Sequence, residues 1–347
     1  MTTQVAFLFP GQGSQAVGMG SDIFATSAAA KLVFETVDEA LGFPLSTLCF
    51  EGPEETLRKT INAQPAIVTV SLAYLAAFQE ALSPSTSSWS LAFSSPLTPD
   101  FTAGHSVGEF ASLVVAGVLD LKGTAQLVRE RGHLMDIEET ACPGGMAAII
   151  GIEAGPLQEV CQEATRQLTI ELAGKTTHPG QGQVIVANYN APGQIVISGE
   201  QNALTLASEL AKARGAKRVI PLPVSGAFHS PVMYPAVSRL AQALTTANLH
   251  DAAIPIISNI TARPLTDAQD LRSELAEQLA ASVQWIRTIE YLSGAGITTF
   301  IEIGPGQALT GMIKRIVKGA RTINIGSAAE VEKAVVLVRE MRLLSDV

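Results

Sequence analysis

The chain has 347 residues, 47% of them apolar, and a formal net charge of −9. A chain of this length makes about two to three domains or a single large α/β one, with material for a substantial core. The acidic balance argues against a nucleic-acid binder, which carries a basic stripe, and an acidic partner would have to dock on a local basic patch.

The three cysteines, Cys49, Cys142 and Cys161, are odd in number and far apart, with neither metal-ligand spacing nor a disulfide framework. They fit a reducing cytosol and imply no metal site. The opening segment has no basic leader, and Pro10 and Gly11 break its apolar run at once. No apolar run approaches the ~20 residues of a membrane span, so a soluble cytoplasmic protein with no membrane partner is expected.

In chain order, "QVAFLFPGQGSQ" reads as a short buried strand entering a glycine-rich loop. "IFATSAAAKLVFETVDEALG" follows as a helix stopped by Gly42. "QPAIVTVSLAYLAAFQEAL" is a long helix, apolar almost all round and hence buried within a domain. The Ser/Pro-rich stretch after it is an exposed loop. "FTAGHSVGEFASLVVAGVL" has the pattern of a strand end, a sharp turn and a helix, and "GTAQLVRERGHLMDIEE" is a further helix.

From Gly145 the pattern changes to strand "MAAIIGIE", helix "GPLQEVCQEAT", strands "QVIVANYN" and "QIVISGE", helix "QNALTLASELAKARG" and strand "AKRVIPLPV". That β-α-β-β-α-β order is the ferredoxin-like unit, a small α+β subdomain over 144–219 inserted into a larger α/β domain formed by 1–143 and 220–347. The larger domain resumes with helices near 232–247 and 266–280, strand "TTFIEIGP" and a helix from Gln307 to Lys318. A cleft is expected where the two parts meet.

Within "FTAGHSVGEF", Ser106 sits in a G-x-S-x-G pattern. A serine at a strand-to-helix elbow has a strained backbone that pushes its hydroxyl into a cleft, and small neighbours let the turn pack. The helix N-terminus then favours a developing oxyanion, with the Val107 amide as the natural donor. A tight turn merely capped by serine is the competing reading. A nucleophilic serine needs a base, and the chain has five histidines. His105 adjoins the serine and points away from its hydroxyl at a sharp turn. His133 is helical, His178 lies in a polar loop and His250 ends a helix. His229, in the Gly/Ser/Pro-punctuated loop "PVSGAFHSPVM", is the candidate by elimination. No acid follows it at an obvious spacing.

Several stretches occur together, in order, over nearly the whole chain: "FPGQGSQ" (9–15), "INAQPAIVTVS" (61–71), "AGHSVGEFASLVVAG" (103–117), "RERGHLM" (129–135), "GGMAAIIG" (144–151), "NYNAPGQIVISG" (188–199), "GAKRVIPLPVSGAFHSPVM" (215–233), "SVQWIRTIEYL" (282–292) and "EIGPGQALTGMIKRI" (302–316). The chain thereby resembles the malonyl-CoA:acyl carrier protein transacylases, the discrete acyltransferases of fatty-acid synthesis, related to acyltransferase domains of polyketide synthases. The resemblance implies a larger α/β-hydrolase-like domain with a parallel sheet. It also implies a ping-pong transfer in which Ser106, activated by His229, takes the malonyl group from malonyl-CoA and passes it to the phosphopantetheine thiol of acyl carrier protein. CoA and phosphopantetheine are substrates, so no cofactor is implied. A monomer is expected. The family pattern puts the oxyanion hole at the amides of Gln12 and Val107, and orients the histidine by a backbone carbonyl at Gln284 instead of a carboxylate.

By the same resemblance Arg131 pairs with the malonyl carboxylate, for which a guanidinium fork is suited; a helix-surface arginine paired with Glu130 or Glu138 is the alternative. Phe228 accompanies malonyl rather than methylmalonyl use, a preference worth only ~1–3 kcal/mol per methyl, or is a simple core residue. Lys217 and Arg218 are the better candidates for CoA or carrier-protein contacts among two basic clusters, 212–218 and 314–318; solvation alone is the bland reading. The loops at 83–100 and 169–183 look longer than the family pattern requires. Two other functions stay open from the residues: an esterase-type hydrolase, which calls for an acid on the histidine, and a non-catalytic carrier-docking module.

Overall fold

The structure, a computed structural model, describes residues 4–83 and 97–344; most of the long loop at 83–100 therefore lies outside the described residues. The larger sheet has six strands: β1 (Gln4–Phe9), β2 (Phe101–Gly104), β7 (Ile256–Ile257), β8 (Pro264–Leu265), β9 (Ile297–Ile303) and β10 (Arg321–Ile325), in the order β10-β9-β1-β2-β7-β8. All neighbours pair in parallel except β8, an antiparallel edge strand on the otherwise parallel sheet that was expected. From β1 the chain builds outward to β2 and β7 on one side, then returns to add β9 and β10 on the other. Ligands of open α/β sheets bind beyond the carboxyl ends of strands at such a reversal. Here β1 and β2 are in register with Phe9 opposite Gly104, so the loop after Phe9 and the turn after Gly104 emerge side by side.

Helix Thr60–Leu82 runs through the core, its residues from Thr60 to Phe78 buried except Ile61. By length and composition it is apolar enough to cross a membrane (mean hydropathy 1.4 over its most apolar window), which corrects the expectation that no run is; its burial makes it a core helix. Helix Leu121–Ala141 crosses it closely at Gly132, where a Cβ would stand 2.8 Å from the Ile61 Cα. That approach brings Arg131 against Gln64, deep in the molecule. The helix expected over 23–42 is two, Ser21–Thr26 and Ala28–Leu41, because Ser27 turns extended and caps the second one by accepting the Ala30 N–H.

The second sheet holds β3 (Gly144–Ile150), β4 (Val184–Ala191), β5 (Gln194–Glu200) and β6 (Arg218–Pro221). Its antiparallel order β4-β5-β3-β6, with helices Ala154–Glu171 and Gln201–Ala213, is the ferredoxin-like arrangement read from the sequence pattern. It has its own apolar core, including Ile149, Leu157, Val160, Val184, Ile197 and Ala207. The first of these helices runs to Glu171, so the loop before β4 spans 172–183, within the stretch 169–183 that looks long in the sequence. The sheet is tied to the larger one through Val283, whose N–H and carbonyl bond Ala187 and Tyr189 of β4. This sets the end of β4 over the carboxyl ends of β1 and β2, forming one wall of a cleft.

Candidate active site

The turn after β2 is a nucleophile elbow. Ser106 has φ +52, a strained conformation for a residue with a Cβ, and helix Gly108–Val115 begins two residues later. The flanking glycines are sterically required: a Cβ on Gly104 would stand 1.9 Å from the Gly108 carbonyl carbon, and one on Gly108 would stand 2.3 Å from the Phe9 oxygen. Asn259, 2% exposed in the loop after β7, holds this strained turn from both sides. Its Oδ1 accepts the Ser106 N–H at 2.7 Å and its Nδ2 donates to the Gly104 carbonyl at 2.7 Å.

Ser106 Oγ lies 2.7 Å from His229 Nε2. His229 also has a positive φ, +57, and its N–H donates to the Leu279 carbonyl, which pins the ring under the elbow. The other ring nitrogen, Nδ1, faces two backbone oxygens, Gln278 O at 2.9 Å and Ala281 O at 3.1 Å. Nδ1 must therefore carry the proton, leaving Nε2 free to accept from the serine. These contacts correct the assignment of Gln284: its carbonyl caps helix Trp285–Gly294 by accepting the Thr288 N–H, so it is spent on helix geometry and not on His229. Burial first, then the Arg131 charge, pull the His229 pKa down to about 3. His105 turns away from the hydroxyl, its Nε2 2.8 Å from Asn190 Oδ1 on β4.

Gln12 and Val107 flank the serine, on the loop after β1 and at the helix start. Among the described residues neither N–H takes a protein acceptor, as expected of amides available to an oxyanion. The cleft they share has a cavity of about 230 Å³, lined by Gln12, Ser106, Asn188, Asn190, Phe228 and His229 among others. Phe228 is 4% exposed and forms part of its apolar wall with Met135, Met146, Leu222 and Val224. A larger depression of about 860 Å³ between helices Leu121–Ala141 and Tyr234–Thr246 contains none of these residues. The smaller cleft is the site, because nucleophile and base open onto it.

Arg131 is fully buried. Its Nη1 donates to Gln64 Oε1 at 2.7 Å; its Nη2 donates to Gln278 Oε1 at 2.9 Å and reaches Ser106 Oγ at 3.3 Å. Its Nε has no partner, and among the described residues no carboxylate lies within 4 Å of it. The alternative surface pairing with Glu130 or Glu138 does not occur: Glu138 meets His178 and Arg239 instead. Burial lowers the Arg131 pKa to about 10, which leaves it charged at neutral pH. A buried cation held by neutral amides, with a spare donor, is a receptor for an anionic group placed on the nucleophile.

Sequence reasoning did not single out Gln64, Asn259, Gln278 or Glu109. Two of them carry a signal: Gln64 interrupts a helix apolar all round, and Glu109 is the one charge in "GEFASLVV". A polar side chain on such a buried face must have an internal partner. Of the two basic clusters, Arg214 is paired with Glu159 and Glu163, and Arg315 bonds Gln194 and the Pro192 carbonyl. Lys217 and Arg218, at the start of β6, are exposed and make no ion pair among the described residues.

An elbow serine, a histidine steered by carbonyls and paired backbone amides on a parallel α/β sheet define an acyl-transferring serine site. The chain belongs to the acyl transferase domain family, whose model matches residues 6–342. It is 43% identical to the malonyl CoA-acyl carrier protein transacylase of Bacillus subtilis, over 97% of this chain and 98% of that one. It is 37% identical to the Escherichia coli K12 protein of the same name, over 91% and 93% of the two chains. Among solved structures, the acyl-carrier-protein S-malonyltransferase of Bartonella henselae superposes with a TM-score of 0.86 at 39% identity, covering 97% of this chain and all of that one. A malonyl-transacylase solved in complex with its type II PKS acyl-carrier protein superposes with a TM-score of 0.84 at 34% identity, covering 96% of this chain and 100% of that one.

Proposed function

We propose that this chain moves the malonyl group of malonyl-CoA to the phosphopantetheine thiol of an acyl carrier protein through a malonyl-Ser106 ester. The observation that carries the reading is Arg131, a buried guanidinium without a carboxylate partner, 3.3 Å from the nucleophile. In the first half-reaction the Ser106 hydroxyl proton passes to His229 Nε2 as Oγ attacks the thioester carbonyl. The resulting oxyanion is received by the Gln12 and Val107 amides, and the C–S bond breaks with His229 returning its proton to the CoA sulfur. In the second, the carrier thiol gives its proton to Nε2 and attacks the ester carbonyl; Ser106 Oγ leaves and is reprotonated. Arg131 holds the malonyl carboxylate throughout, and Phe228 closes the apolar side of the pocket against an α-methyl.

In this reading the working unit is a monomer, and CoA and phosphopantetheine enter as substrates. Lys217 and Arg218 meet CoA phosphates or an acidic carrier in this reading, which draws support from β6 leading within four residues to Leu222 of the cleft wall. The carrier serves fatty-acid or polyketide synthesis. Three buried free cysteines favour a reducing, cytosolic setting. An esterase is disfavoured because among the described residues no acid meets His229 and because an ester substrate gives Arg131 no role. A non-catalytic module is disfavoured by the intact serine–histidine pair. The test is transfer to holo-acyl carrier protein, followed by the mass of the carrier, from malonyl-CoA and acetyl-CoA in parallel. Malonyl transfer at rates far above acetyl is expected; equal transfer, or free malonate without loaded carrier, refutes the reading.

A further inference from the structure

Glu109 is fully buried one turn after the nucleophile, on helix Gly108–Val115, and it takes no part in the chemistry above. Its Oε2 accepts the Gln278 side-chain amide, the Asn259 backbone N–H also faces its carboxyl group, and its Oε1 has no hydrogen-bond partner among the described residues. Gln278 is in turn shared. Its Oε1 accepts Arg131 Nη2 at 2.9 Å and its Nε2 reaches the Ser106 carbonyl at 3.3 Å. An arginine has donors only, so the Gln278 atom that faces it must be the oxygen. The amide then points its NH2 at the opposite side, and what stands there is an acceptor, Glu109.

The geometry points to Glu109 as a specificity-determining positioning residue: it fixes the Gln278 amide so that its oxygen faces Arg131, which holds the guanidinium fork toward the acyl carboxylate. The other amide on Arg131 is that of Gln64, which is oriented by a thioether, Nε2 to Met135 Sδ at 3.1 Å, a weak acceptor. With no acceptor at position 109, the Gln278 NH2 is a buried donor with only the 3.3 Å contact to the Ser106 carbonyl, and the cost of leaving it unsatisfied works against the amide orientation that Arg131 requires. Where the amide shifts to satisfy that donor, its oxygen leaves Arg131 Nη2 and the fork loses one of its two amide supports. The loss falls on the substrate that uses the fork, so Glu109 acts on the choice of acyl group and not on the nucleophile itself.

This inference rests on the malonyl-transfer reading, and the experiment separates the two. Single-turnover acylation of Ser106 is measured with malonyl-CoA and acetyl-CoA for the wild type, Glu109→Leu, Glu109→Gln and Gln278→Met, with circular dichroism melting as a fold control. Leu removes the acceptor at similar volume, whereas Gln retains an oxygen for Gln278 without the charge. The malonyl-to-acetyl ratio of kcat/KM should fall about 10- to 100-fold in Glu109→Leu, chiefly through KM for malonyl-CoA, and Glu109→Gln should restore it to within about threefold. Gln278→Met should show the same collapse, which keeps the test alive if Glu109→Leu does not fold. Asn259→Ala is the contrast: it loosens the elbow and should slow both acyl groups alike. A wild-type ratio retained in Glu109→Leu or Gln278→Met, or an equal collapse in Leu and Gln variants, overturns the inference. If the wild type itself does not prefer malonyl, the transfer reading falls with it.

Discussion

Replacing Arg131 by alanine tests how substrate choice is made. The guanidinium holds Gln64 and Gln278 on one side and leaves Nε without a partner, so a malonyl carboxylate gains about two charge-assisted hydrogen bonds. At about 1.5–3 kcal/mol each they are worth about 3–6 kcal/mol. With a factor of ten per ~1.4 kcal/mol, malonyl kcat/KM should drop about 10²- to 10⁴-fold. Acetyl makes no such contact, and removing the cation also relieves one of the causes that depress His229, so acetyl kcat/KM should fall less than about tenfold. The two glutamine oxygens left without their donor cost stability, about 1–3 kcal/mol each, so Tm should fall as well. The assay is parallel transfer of malonyl and acetyl groups to holo-carrier. Retained malonyl preference in Arg131→Ala refutes the assignment.

The pH dependence follows from the same charge. With His229 held near 3 by burial and by Arg131, the base is neutral through the ordinary range, so the acid limb of kcat/KM should lie well below pH 6.5. A bound malonyl carboxylate offsets Arg131, raises His229 and should move the limb of kcat above that of kcat/KM; a reversed order contradicts the pairing. Because the folded pKa of His229 lies below its unfolded value, its contribution to stability is full above about pH 6.5 and is lost as pH falls toward 3, which denaturant titrations across that window read directly. Gly104→Ala forces a Cβ against backbone at 1.9 Å. It should cost stability at or beyond the upper end of the ~1–3 kcal/mol typical of overpacking and abolish acylation, whereas a wild-type denaturation midpoint contradicts the elbow's tight fit. Charge reversal of Lys217 and Arg218 should raise KM for carrier protein several-fold, less so in high salt, while Ser106 acylation by malonyl-CoA changes little if only the carrier docks there. A salt-independent effect argues against docking.

The pattern of strands and helices in 144–221 was legible because local periodicity and turn residues agree with the final pairing throughout. The elbow was legible from its local pattern, although only Gly104 answers a neighbour a few residues away; Gly108 makes room for the Phe9 carbonyl of β1. His229 came out by elimination among five histidines. What orients it did not, because its acceptors are backbone oxygens, which every residue has. Gln278 and Gln284 stand six apart in one stretch, and only the 3-10 turn at Gln278–Ala280 decides which carbonyl faces Nδ1. Asn259 was invisible for a different reason. It serves a serine 153 positions away, and nothing local to "IISNIT" marks that use. The strands β7 and β8 have two residues each, too few for a periodic signal.

The central claim is that Ser106 carries a malonyl group between two thiols. Intact-mass measurement of the protein mixed with malonyl-CoA, with peptide mapping of the adduct, tests it most directly. The account predicts one malonyl adduct, located on Ser106, absent in Ser106→Ala, and discharged by holo-acyl carrier protein much faster than by water. An adduct elsewhere, no adduct, or discharge by water at the rate given by the carrier contradicts it.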